Sequence, residues 1–167
     1  MRQEKRPNYQ LSLKKSKPMN LKTICILGAG TLGSRVALQS ALSGYEVRVY
    51  DLTQKALDFS LNTMKKILHQ LVKAGQLEEK TIPEVLARIE FTLDPNRAVE
   101  DADFINESVT EEIEVKKKVW KQFGELAPEK TWFTTNTSYL LPSMFAEESG
   151  RPSRFCAFHF HDVFYSR

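Results

Sequence analysis

The chain has 167 residues, 41% hydrophobic and 27% charged, which excludes a disordered or fibrous chain and leaves enough apolar mass for the core of one ordinary domain. No apolar run approaches the roughly 18 residues of a membrane-spanning helix, and two cysteines are too few for a disulfide framework. The net charge of +3 is uneven: residues 1–20 hold six Lys or Arg against Glu4 alone, a balance of +5, so the remainder is close to −2.

That basic stretch, residues 1–20, reads as a flexible polar tail, with neither the apolar h-region nor the Arg-rich amphipathic helix of a targeting segment. Charge confined to a tail makes no folded cationic surface, so neither nucleic acid nor a membrane is expected as a partner. From Leu21 the pattern changes. "KTICILGAG" is a continuous apolar run ending in glycines, as in a strand buried on both faces. "TLGSRVALQSALSGY" carries apolar residues at helical spacing and closes at Gly44, and "EVRVYD" alternates like a strand ending on an acid. This is β-α-β in about thirty residues.

"QKALDFSLNTMKKILHQLVKAG" then predicts a long helix stopped at Gly75, with "IPEVLARI" a shorter one that has Pro83 near its start. "IEFTL" reads as a strand, "NRAVED" as a short helix and "ADFINESV" as a further strand. "EEIEVKKKVWKQFGELA" leads with acids and follows with lysines, in keeping with a helix macrodipole. "TWFTTNTS" predicts a strand running into a polar turn, "LPSMFAEES" a short helix and "RFCAFHF" a last strand. Cys25 and Cys156 sit in the apolar runs ICIL and FCAF, so both are expected as core thiols in a reducing, cytoplasmic setting. The fold class is therefore α/β: a doubly wound, mostly parallel Rossmann-type sheet over residues 21–167, with a helical insertion after the second strand.

Gly28, Gly30 and Gly33 form G-x-G-x-x-G after a buried strand and at the start of a helix, with Asp51 ending the next strand. That context makes a dinucleotide site of a motif that is weak alone. Gly28 permits the tight turn, Gly30 lets backbone approach a pyrophosphate, and Gly33 allows close helix–strand packing. Thr31 and Leu32 open the helix whose N-terminus faces the phosphates. Asp51 accepts from a ribose hydroxyl and repels a 2′-phosphate, while Leu52 offers no arginine in compensation, so NAD is favoured over NADP.

In order and spacing, "ILGAGTLGSRVALQSALSGYEVRVYD", "ADFINESVTEEIEVKK", "NTSYL" and "RFCAFHFHDV" resemble the NAD-binding domain of the L-3-hydroxyacyl-CoA dehydrogenase family, from about Lys22 to the end of the chain. The resemblance implies hydride transfer between the C3 carbon of a 3-hydroxyacyl-CoA and NAD in fatty acid metabolism. It implies His159 as catalytic base, Ser138 on the substrate oxygen, and Glu111, Lys116 and Asn136 on the nicotinamide side of the cofactor. These assignments suit the chemistry. Alcohol oxidation needs a base while hydride leaves, a task suited to the imidazole side chain, and a hydroxyl can hold the oxygen as charge develops. The long helix matches the family's helical insertion, where Lys65, Lys66 and Lys73 are candidates for CoA phosphates and His69 reads as a surface residue.

The chain departs from the family's H-F-F-N-P at His161, Asp162 and Val163, and Asp162 brings negative charge toward the nicotinamide ribose. "LLPS" is similar to relatives acting on small hydroxy acids, of carnitine or gulonate dehydrogenase type, so a small 3-hydroxy acid stands as the alternative to an acyl-CoA ester. His159 and His161 share a strand face, but no third ligand accompanies them, and no metal is expected. The family's glutamate partner, about twelve residues beyond the histidine, and its helical domain fall past Arg167. The expectation is a cofactor domain lacking that helical domain, with self-association of exposed apolar surface as one consequence and a non-catalytic NAD-binding module as the competing reading.

Overall fold

The structure, a computed structural model, describes residues 20–160. The basic leader through Met19, and His161 to Arg167 with Asp162 and Val163, lie outside the described residues. Six strands form one all-parallel sheet: β1 Thr23–Leu27, β2 Glu46–Tyr50, β3 Ile89–Thr92, β4 Phe104–Glu107, β5 Trp132–Thr135 and β6 Phe155–Ala157. Their order is β3-β2-β1-β4-β5-β6. The chain winds outward from β1 in one direction and, after crossing over, from β4 in the other. The C-terminal ends of β1 and β4 therefore flank the crevice where a doubly wound sheet binds its ligand.

Helices α1 Thr31–Leu42, α2 Gln54–Lys73 and α3 Ile82–Ala87 belong with one face, and α4 Pro95–Val99 and α5 Ile113–Leu126 with the other. Alternation along β1 divides the core: Ile24 and Ile26 pack with Val36, Leu57, Met64 and Leu68, whereas Cys25 and Leu27 pack with Ile105, Trp120, Phe123 and Phe133. All five β1 residues are buried, which explains the uninterrupted apolar run. The predicted insertion is the 20-residue α2, capped by the Thr53 hydroxyl accepting the Ala56 N–H at 3.2 Å and ended by Gly75 at φ +70°.

Three expectations are corrected. "LPSMFAEES" is not one helix but two 3-10 turns, Pro142–Met144 and Glu147–Ser149. Phe145 between them has φ −150°, which breaks the helix and drives its fully buried ring edge-on against Phe155, 5.9 Å away. The final strand pairs only over Phe155–Ala157, and its continuation through His159 is held by one backbone bond, the Phe158 N–H donating to the Thr135 carbonyl at 3.0 Å, and by side-chain bonds from Asn106 and Asn136. Cys156 is exposed while Cys25 is buried, because among the described residues β6 is the edge strand whereas β1 lies at the centre of the sheet.

Candidate cofactor and catalytic site

The turn after β1 is made by its glycines. Gly28 has φ +103°, and a Cβ there would stand 2.7 Å from the Ser108 carbonyl oxygen, so both backbone conformation and the close approach of β4 require glycine. A Cβ on Gly33 would lie 1.9 Å from the Gly28 carbonyl oxygen, the close helix–strand packing expected of it. Gly30 differs. It caps α1 with no side-chain bond, and a Cβ there would meet no atom within 4 Å, so nothing inside the protein requires glycine at that position. Open space in front of the unfilled N–H groups of a helix start fits an approaching anion such as a pyrophosphate.

Asp51 closes this turn. Its Oδ2 accepts the Ala29 N–H at 2.8 Å and its Oδ1 the Leu52 N–H at 2.7 Å, so the carboxylate is fixed in orientation with lone pairs left for a ligand. A cavity of about 310 Å³, within the ordinary range for small ligands, lies beside it, lined by Gly28, Gly30, Asp51, Leu52, Val109 and Phe123. Its apolar walls and single carboxylate edge fit an adenosine. Tyr50 also lines it, and burial followed by the charges of Asp51 and Asp94 pushes its phenol above the ordinary value.

A second cleft opens on the other side of the glycine turn. Thr31, Leu32 and Arg35 of α1 form one wall, and Ser138, Tyr139 and His159 the other. The Ser138 hydroxyl lies 3.0 Å from His159 Nε2. The two residues singled out for chemistry, 21 positions apart, thus meet directly across from the helix start expected to hold the phosphates.

Glu111, expected at the nicotinamide, reaches from the loop after β4 to the loop after β5. Its Oε1 accepts the Ser138 N–H at 2.9 Å, the Tyr139 N–H at 3.3 Å and the Thr137 hydroxyl. Burial pushes its carboxyl up, but the Thr137 hydroxyl and the Lys116 ammonium prevail and hold it below the usual carboxylate value. Lys116 lies in neither cleft. It is fully buried, with Nζ 2.6 Å from Glu107 Oε1 and 3.2 Å from Glu111 Oε2, so it acts on the site through these two carboxylates. Asn136 also turns inward: Nδ2 donates to the Ser108 hydroxyl at 3.0 Å and Oδ1 accepts the Phe160 N–H at 2.7 Å. Lys65, Lys66 and His69 line a shallow groove on α2, apart from both clefts. The sequence reading missed Asn106 and Glu107, both fully buried; the signal was a polar pair inside an otherwise apolar strand, "FINES". Among the described residues no group of three or more His, Cys, Asp or Glu is placed to hold a metal, and no helix is long and apolar enough to cross a membrane.

A doubly wound parallel sheet, with a glycine turn at its switch point and an acid ending β2, defines a dinucleotide-binding Rossmann domain. More narrowly, the chain belongs to the 3-hydroxyacyl-CoA dehydrogenase family as its NAD-binding domain, which it matches over residues 23–163. It is 32% identical over 142 residues to 3-hydroxyadipyl-CoA dehydrogenase of Escherichia coli, covering 85% of this chain and 30% of that protein. It is 34% identical over 146 residues to the fatty acid oxidation complex subunit alpha of Idiomarina loihiensis, covering 87% of this chain and 20% of that one. The crystal structure of 3-hydroxybutyryl-CoA dehydrogenase from Escherichia coli superposes with a TM-score of 0.83 at 31% identity, over 87% of this chain and 31% of that one. The chain thus spans less than a third of the length of these relatives.

Proposed function

We propose that this chain is the cofactor domain of an NAD-dependent 3-hydroxyacyl-CoA dehydrogenase, and that Ser138 and His159 are its catalytic pair. The carrying observation is the 3.0 Å approach of Ser138 Oγ to His159 Nε2 in a cleft whose opposite wall is the start of α1. Bound NAD supplies the hydride acceptor. Gly28, Gly30 and Gly33, with the N–H groups of Thr31 and Leu32, receive the pyrophosphate, and Asp51 takes the adenosine ribose. Glu111, fixed by Lys116, and Asn136 form the nicotinamide side. As the C3–H pair leaves as hydride, the C3 hydroxyl proton passes to His159 Nε2 and the Ser138 hydroxyl holds the oxygen.

The substrate is a small molecule, an acyl-CoA ester by the activities of the relatives, and further walls of its site lie in the additional length those relatives carry. Two unpaired cysteines favour a reducing compartment, the cytoplasm. The test is NADH-dependent reduction of acetoacetyl-CoA, followed at 340 nm with the chain and with the chain plus the helical portion of a relative. Turnover that disappears in His159→Ala supports the proposal. Saturable NADH binding without turnover in either setting contradicts it and leaves a cofactor-binding module.

A further inference from the structure

Consecutive side chains of a strand point to opposite faces of the sheet, so polar neighbours buried on both faces serve separate surroundings. Asn106 and Glu107, the last two residues of β4, are such neighbours, each fully buried. Glu107 shares its face with Ile105 and α5. Its Oε2 accepts the Thr135 hydroxyl at 2.7 Å, and its Oε1 accepts the Val109 N–H at 2.9 Å and the Lys116 ammonium at 2.6 Å. Lys116 passes this hold to Glu111, which gathers the Ser138 and Tyr139 N–H groups. Asn106 looks the other way, toward the His159 segment. Its Nδ2 donates to the Thr134 hydroxyl at 3.1 Å and to the Phe158 carbonyl at 3.4 Å, and its Oδ1 accepts the Ser108 hydroxyl at 3.2 Å. Ser108 in turn accepts from Asn136, whose Oδ1 takes the Phe160 N–H.

Beyond the Phe158 N–H bond to the Thr135 carbonyl, His159 is gripped on both sides, at the Phe158 carbonyl and the Phe160 amide, by one chain of side-chain bonds. Ser138 is gripped at its own amide by the other. A serine–imidazole contact at hydrogen-bond distance needs both partners fixed to a few tenths of an ångström, and the two relays start from adjacent residues of β4. A buried carboxylate beside a buried ammonium is an expensive arrangement to keep for packing alone. We infer that Asn106 and Glu107 are positioning residues, Asn106 setting the His159 segment and Glu107, through Lys116 and Glu111, setting Ser138. Neither touches cofactor or substrate; each acts through the pair. The inference rests on the proposed catalytic role of that pair for its meaning, but its geometry is testable without substrate.

The experiment is amide and imidazole ¹H–¹⁵N NMR of the whole chain and of Asn106→Leu and Glu107→Gln, both nearly isosteric. Asn106→Leu is expected to shift the His159 ring and Phe160 amide signals while the Tyr139 amide stays in place. Glu107→Gln is expected to shift the Val109, Ser138 and Tyr139 amides while Phe160 stays in place. Where either substitution prevents folding, Ser108→Ala and Thr135→Val interrupt the same two relays by one hydroxyl and one hydroxyl-to-methyl change, with the same pattern expected. Shifts that spread equally over both sets of probes, or that leave the His159 ring and Ser138 amide unmoved, overturn the inference. In any turnover assay the same substitutions are expected to lower kcat by about 10- to 100-fold through misplacement. Separated NMR shifts in a chain without turnover would fault the functional proposal and leave the positioning intact.

Discussion

The two ends of the site are built by opposite means. Around Gly28 to Asp51 the protein works with what it omits: missing side chains and the bare N–H groups of a helix start. Around Asn106 to His159 it works with what it buries. Asn106, Glu107, Lys116, Thr134, Thr135, Asn136 and Thr137 are buried polar residues joined by hydrogen bonds and ion pairs. A backbone cradle suits a charged ligand that binds and leaves unchanged in shape, whereas a pair with the catalytic role proposed for Ser138 and His159 must be held while charge moves. Loss of function without loss of stability is therefore expected at the open Gly30 position of the first region and not at the buried residues of the second.

The largest test of that contrast is Lys116→Met. It leaves Glu107 as a buried carboxylate without its counterion, a change expected to cost about 3–5 kcal/mol in urea unfolding. The double variant Glu107→Gln with Lys116→Met, which removes both charges, is expected to recover part of that loss. A cost for Lys116→Met indistinguishable from an exposed lysine substitution would break the comparison.

Within the cradle, Gly33→Ala and Gly30→Val are expected to separate. Alanine at 33 must displace the Gly28 carbonyl and costs about 1–3 kcal/mol of stability. Valine at 30 places its Cβ where no atom lies within 4 Å, so stability changes by about 1 kcal/mol or less, yet NADH affinity falls by about tenfold or more. Paired unfolding curves and fluorescence titrations check both statements.

A smaller effect concerns acid. In the folded chain the Glu111 carboxyl lies below its ordinary 4.5, so below that value the unfolded chain binds more protons and stability rises with pH. Its contribution is present above pH 4.5 and is lost as pH falls through the lower folded value. Glu111→Gln is expected to flatten this part of the acid limb, seen as a smaller drop in Tm between pH 5 and 3. Smallest is a chemical difference between the cysteines: burial pushes the Cys25 thiol far up, so mild alkylation is expected to add one label, at exposed Cys156.

How much of this was legible from sequence follows the same divide. The glycine turn, Asp51 and the apolar β1 announce themselves because backbone conformation and two-sided burial restrict residue type locally. The roles proposed for Ser138 and His159 rest on the family's motifs, but their contact joins residues 21 positions apart and depends on strand order. The relays through Asn106 and Glu107 were not read at all, since a polar pair in a strand says nothing of its partners until neighbouring strands are in register. The same absence of tertiary context made Cys156 look like a core residue and "LPSMFAEES" like a helix. There, an edge strand and a buried Phe145 decided the outcome.

The most direct measurement is a fluorescence titration of the chain with NADH and, in parallel, NADPH. Saturable binding that prefers NADH by about tenfold or more, and that moves toward NADPH in Asp51→Asn, is the predicted result, since the Asp51 carboxylate edges the adenosine cavity and repels a 2′-phosphate. Equal affinity for the two, or no binding by a folded chain, would contradict a working dinucleotide site between Gly28 and Asp51.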